Sequence, residues 1–187
     1  FTHPVSVRQL NEKYRKNYIV QKPIQQSAVT ARFNSSSVNC IRINSLFWKG
    51  EVHVLSVIAH IGTAGDIADN RGDDWYLIGL KPDGSFNEHG FTHDWRSASS
   101  TSSGLCFKDL SIPFLDKAKE YIKSAHMLYP YFGMIGWDVC FDQFDEPLII
   151  EANLGCPGGV VPQMACGPFF GNLTDEILSD LKGKRPL

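Results

Sequence analysis

The sequence contains no CxxC pair, and its five cysteines (Cys40, Cys106, Cys140, Cys156 and Cys166) are an odd number without disulfide-framework spacing. That pattern points to reduced thiols in a cytosolic, hence cytoplasmic, protein. No apolar run approaches the roughly 20 residues that span a bilayer. No signal-peptide pattern opens the chain. Blocks of like charge are missing, and 18 basic against 20 acidic residues leave a net charge of −2. Composition therefore gives no support for a nucleic-acid or polyanion surface. No internal repeat is present. The first residue is Phe1 and not methionine, so the chain reads as a piece of something longer.

Hydrophobic residues make up 43% of the 187 and charged residues 20%, an ordinary globular profile with enough length for one good core. Residues 5–16 read as a short polar helix with Val7, Leu10 and Tyr14 on one side. Residues 18–24 read as a buried strand ended by a proline. Strands are expected at 38–47 and 51–61, joined as a hairpin by Trp48-Lys49-Gly50. Residues 62–74, rich in Gly and Asp, form a loop. Strands at 75–80 and 85–91 flank the Pro82-Asp83-Gly84 turn. The Ser-rich stretch 96–104 reads as a mobile loop.

The clearest helix spans 113–129, with Phe114, Ala118, Tyr121, Ile122, Ala125 and Leu128 at helical spacing and Pro130 at its end. Strands at 132–142 and 147–152 enclose a turn at 143–146, and a Gly-rich loop follows at 153–159. A last helix runs from about Leu173 to Leu181 with Asn172 as N-cap. Hairpins, a helix, a hairpin and more helices make an α+β fold with a largely antiparallel sheet.

The hairpin at 132–152 carries the chemistry. Side chains alternate along a strand, so Glu151 and Asn153 share a face. Pairing outward from the turn at 143–146 sets Asp138 opposite Glu151. Two carboxylates and an amide oxygen suit a hard cation such as magnesium, which takes its other ligands from water and phosphates. The competing reading is a solvated acidic hairpin face. The strands are very apolar, and acids are rarely buried without partners, which favours the metal.

Arg42 lies between Ile41 and Ile43. It suits either a forked clamp on a phosphate or substrate carboxylate, or the solvent side of a half-buried strand. A zinc site from His89, His93 and Cys106 is a weak alternative. Cys156 reads as a bystander thiol because no His neighbours it. Phe47, Trp48, Trp75, Tyr76 and Trp95 read as packing residues.

The stretch GWDVCFDQFDEPLIIEANLGCPGG at 136–159 resembles the C-terminal signature of ATP-grasp enzymes. SVNCIRIN at 37–44, with ADN at 68–70, resembles the sugar-transfer-associated ATP-grasp subgroup, and more distantly the glutamate ligases. The resemblance covers about residues 17–182. It implies an ATP-grasp-like C-terminal lobe in which Asp138, Glu151 and Asn153 bind the magnesium of ATP. YIVQKPI at 18–24 resembles the hinge strand against adenine, with Gln21 facing the exocyclic amine and Lys22 to Ile24 the ring edge. Gln21 stands where the family usually has glutamate. Asp69 and Asn70 resemble the loop that reaches the γ-phosphate or acceptor.

The implied activity is that of an ATP-dependent ligase. It would activate a small or sugar-linked carboxylate as an acylphosphate for attack by an amine or similar nucleophile, with a link to polysaccharide or cell-envelope synthesis. Backbone N–H groups of Gly158 and Gly159 would receive an anionic substrate oxygen. An upstream lobe with a phosphate-contacting lysine and a glycine-rich cover loop is expected outside this chain. The rival is a non-catalytic β-rich module that binds carbohydrate or protein.

Overall fold

Lys49 and Gly50 take φ of 50° and 88°, the left-handed pair of a two-residue type I′ reversal. This turn joins strand β1 (Ile41–Trp48) to β2 (Glu51–Ile61) as the predicted antiparallel hairpin. The computed structural model describes residues 5–62, 75–155 and 157–183. Strands β3 (Tyr76–Gly79), β4 (Gly90–Thr92) and β5 (Ser97–Ala98) extend the sheet beyond β2. On the other side, β6 (Met134–Phe141) pairs with β1, and β7 (Pro147–Asn153) with β6. The order is β5-β4-β3-β2-β1-β6-β7, antiparallel throughout.

Among the described residues four α-helices accompany the sheet. Helix α1 (Val7–Tyr14) opens with a capping box, in which Ser6 Oγ accepts from Gln9 N–H and the Gln9 side chain accepts from Ser6 N–H. Helix α2 (Leu115–Met127) covers one sheet face, burying Leu115, Ala118 and Ile122 against Ile43, Ile135 and Val139. Burial of each Leu, Ile or Val side chain here contributes about 1.5–3 kcal/mol, and the Ala118 methyl roughly 0.8 kcal/mol. Helix α3 (Val160–Cys166) lies on the opposite face, where Ala165 packs with Ile58 and Leu77. Helix α4 (Thr174–Gly183) follows. No helix among the described residues is long and apolar enough to cross a membrane.

The core under α2 includes one buried polar cluster. His126 Nε2 donates to the Phe132 carbonyl at 2.7 Å, which leaves Nδ1 to accept from Ser45 Oγ, also at 2.7 Å. Ser45 Oγ in turn accepts from Trp137 Nε1 at 2.8 Å. Each member is satisfied, as burial demands.

Four expectations are corrected. Residues 18–24 form no strand, and Ile19 and Val20 are 81% and 70% exposed. Pro23 removes a backbone donor, and only beyond it does Gln26 make a single bridge to Asp142. Residues 85–91 give two isolated bridges, Leu80 to Phe86 and Ser85 to Ser111, before β4 begins at Gly90. There Asn87 turns aside, its N–H bonding to Gly79 and its amide to the Ala165 carbonyl. Residues 96–104 are not loose: they contain β5, Thr101 is buried, and Ser102 N–H bonds to Tyr76 Oη. The last helix also starts at Thr174, with Asn172 inside a short 3-10 turn.

Candidate functional site

The face of the sheet away from α2 carries the polar residues. Strand register places Arg42, Asp138 and Glu151 side by side on β1, β6 and β7. Directly opposed residues point to the same side of a sheet. The next row comprises Asn44, Gly136 and Asn153. The sequence-predicted trio Asp138, Glu151 and Asn153 therefore shares one face, with Arg42 beside it.

The register is reached by an indirect route. The turn closes one residue differently from expectation, with Asp142 N–H bonding to the Glu146 carbonyl and Asp145 at φ 63°. A β-bulge between Asp138 and Val139 then restores the pairing, so that Val139 opposes Ile149 while Asp138 opposes Glu151. Without the bulge Ile150 would stand opposite Asp138, and Glu151 would face the core.

Arg42 and Asp138 form a forked ion pair, Nε to Oδ1 and Nη2 to Oδ2, the latter at 2.8 Å. Their side chains are 23% and 18% exposed, so solvent screens the pair only partly. Asn153 Nδ2 donates to the Gly136 carbonyl at 3.2 Å and lies 3.4 Å from Asp138 Oδ2. With the nitrogen so engaged, the amide oxygen is the end left for a cation. One arginine against two carboxylates leaves the row with a net negative charge.

Among the described residues no group of three His, Cys, Asp or Glu side chains is placed to hold a metal ion, and the zinc alternative ends there. The donor set at β6–β7 is two carboxylates plus an amide, which suits magnesium with phosphate and water completing its shell. Pro157 packs over this row. A Cβ on Gly136 would lie 2.9 Å from Pro157 Cβ and 3.2 Å from Asn44 Oδ1, so only glycine fits there.

Two cavities flank the row. One, of about 390 Å³, lies at the turn end of β6–β7 between Lys22, Pro23, Ile24 and Gln25 on one side and Asp142, Phe144 and Leu148 on the other. Lys22 and Ile24 line this cleft, although not on a strand, while Gln21 is exposed and outside its lining. The other cavity, of about 230 Å³, is bounded by Arg42, Asn44, Ile58, His60, Leu77, Trp75, Trp95, Pro157 and Gly158. Trp75 and Trp95, read from sequence as packing residues, are cavity walls. Only the fold brings them beside Arg42. Asn70 and its neighbour Asp69, with Asp73, Asp74 and Cys156, lie outside the described residues.

Trp95 occupies the left-handed region at φ 65°, in the turn between β4 and β5. A bulky side chain there costs about 1–2 kcal/mol, and such turns normally use glycine or asparagine. Thr92 Oγ1 holds the turn by bonding to the Asp94 carboxylate and to Arg96 N–H. The Asp94 carboxyl is accordingly held below its ordinary value, first by Thr92 and then by Arg96.

Residues 9–177 match the family described as sugar-transfer associated ATP-grasp. The chain belongs to that family. No curated protein and no solved structure matches it. The α+β sheet with flanking helices is therefore an ATP-grasp lobe.

Proposed function

We propose that this ATP-grasp lobe holds magnesium-bound ATP on the β6–β7 hairpin and activates a carboxylate by phosphorylation. The observation that carries the reading is the in-register row of Arg42, Asp138 and Glu151 with Asn153 next to it. Asp138, Glu151 and the Asn153 oxygen would hold magnesium, which would supply neutralisation of the β- and γ-phosphate charge. The two carboxylates act as ligands and not as proton carriers.

Adenine sits in the cleft at Lys22 and Ile24, with Gln21 at its rim. From Asp142 at that cleft to Asp138 is four residues along β6, about 13 Å at the usual strand rise. That is comparable with the reach of an extended nucleoside triphosphate. Arg42, now paired with Asp138, would be the residue to hold the γ-phosphate or the substrate carboxylate. Its planar guanidinium suits either oxyanion.

In this reading the carboxylate oxygen attacks the γ-phosphorus, the bond to the β–γ bridging oxygen breaks, and ADP leaves. An amine or similar nucleophile then attacks the acyl carbon of the acylphosphate and inorganic phosphate departs. Backbone N–H groups of Gly158 and Gly159 receive the carbonyl oxygen, and Asn70 reaches the γ-phosphate or acceptor. An upstream lobe completing the nucleotide site, a sugar-linked or other small carboxylate substrate, and a cytoplasmic setting belong to the same proposal.

Calorimetry of Mg-ATP with the intact protein tests it. Glu151→Ala should abolish binding without lowering thermal stability, because Glu151 is exposed. Unchanged Mg-ATP affinity in that variant would exclude the assignment.

A further inference from the structure

We infer that the 230 Å³ cavity beside Arg42 is the pocket for the carboxylate substrate, and that it admits a compact acid of one ring or one amino-acid unit with a non-polar face. This rests on the nucleotide reading above and adds to it the class and size of the acid. The volume is below the range of drug-sized pockets, so a polymer end longer than one unit does not fit inside it.

The walls fix the chemistry. Trp75, Trp95, Ile58 and Leu77 supply apolar and aromatic surface, suited to a ring face or an aliphatic side chain. Arg42 marks the anionic end: two of its five N–H donors go to Asp138, and it also lines the cavity. Asn44 is 1% exposed, and its Oδ1 is buried with no hydrogen-bond partner. Exchanging the amide ends would merely transfer the deficit to nitrogen, since Ser56 Oγ serves only one of them. A buried polar atom left unpaired in a residue of the cavity wall marks a polar spot beside Gly136 and Pro157, which a small side-chain adjustment would turn toward a ligand hydroxyl or amino group.

Trp95 supplies the independent observation. It occupies a left-handed turn position that glycine would fill without strain, yet its indole borders the cavity. Strain held at such a place is a mark of ligand contact and not of stability.

The experiment is tryptophan-fluorescence titration of the intact protein with glucuronate, L-phenylalanine, L-leucine and tri-L-glutamate, in parallel with Mg-ATP calorimetry. At least one monomeric acid should bind and tri-L-glutamate should not; which monomer binds separates a sugar acid from an amino acid. Trp95→Gly should weaken that acid at least tenfold by competition calorimetry, leave Mg-ATP affinity unchanged, and keep or raise the melting temperature. Binding of the trimer alone, binding of none of the four, or a Trp95→Gly variant that loses stability but keeps acid affinity would overturn the inference. Mg-ATP binding that survives Glu151→Ala would instead overturn the nucleotide reading.

Discussion

Arg42 on β1 and Asp138 on β6 stand directly opposite one another and are joined through both carboxylate oxygens. The pair holds the acid row in place, and on the proposed reading the same guanidinium competes with the incoming cation. Arg42→Met should therefore act in two directions. Affinity for magnesium alone should rise several-fold by calorimetry, because Asp138 loses its rival partner. ATP turnover should fall by about 100-fold or more, the usual loss when one charged donor at a reacting oxyanion is removed. Leaving Asp138 partly buried without its partner should also cost about 1–3 kcal/mol in chemical denaturation.

Gly136 sits beneath Pro157, with less than a normal contact available for a side chain. Gly136→Ala should push the 154–159 loop off the acid row. Overpacking of this kind costs about 1–3 kcal/mol. Mg-ATP affinity should drop together with the melting temperature, whereas a bulkier residue at Gly50, where an added Cβ meets nothing, should leave Mg-ATP affinity alone.

Ser45 connects His126 to Trp137 on the far side of the sheet from the acids. Ser45→Ala leaves a buried acceptor and a buried donor unpaired, at about 1–3 kcal/mol. For a chain of this length that lowers the melting temperature by roughly 2–12 °C. Mg-ATP affinity should not move, which separates core support from ligand contact.

Lys49 and Glu176 tie the β1–β2 turn to α4 at 2.6 Å. Their hydrogen bond and charge attraction hold the Glu176 carboxyl below its usual value of 4.5 and the Lys49 ammonium above 10.5. The carboxylate's share of stability is present above pH 4.5 and lost as pH falls through the lowered value. The ammonium's share is present below pH 10.5 and lost as pH rises through the raised value. Wild type should exceed Lys49→Met in denaturant midpoint only across that plateau, and by a small margin because both groups are exposed. Equal midpoints at pH 7 would show that the tie contributes nothing.

The sequence was most legible where the signal is local. Helix α2 follows from its periodicity, and the β1–β2 reversal from Lys49-Gly50. The facing of Asp138 and Glu151 was also reached, although the turn differs by one residue and the bulge compensates. No local signal marks that bulge. Residues 18–24 misled because their apolar triplet has β character, while Pro23 and the lack of a pairing partner decide against a strand. The cavity was invisible for a different reason. Arg42 and Asp138 are 96 positions apart, and Trp75, just before β3, and Trp95, in the β4–β5 turn, are brought beside them through β2 and β3. Ring type alone did not distinguish a packing tryptophan from a wall. The left-handed backbone at Trp95 does, and that belongs to the turn it closes.

The β1–β6 border joins two hairpins, each of which closes over a short stretch of its own chain, whereas Arg42 on β1 and Asp138 on β6 are 96 positions apart. Contacts across so wide a separation form late, because the intervening chain must first be gathered. Asp138 and Arg42 lie on opposite sides of that border. A half-assembled chain therefore holds the β6–β7 acids without their counter-charge, and the balanced row becomes a property of the completed sheet and not of any fragment of it.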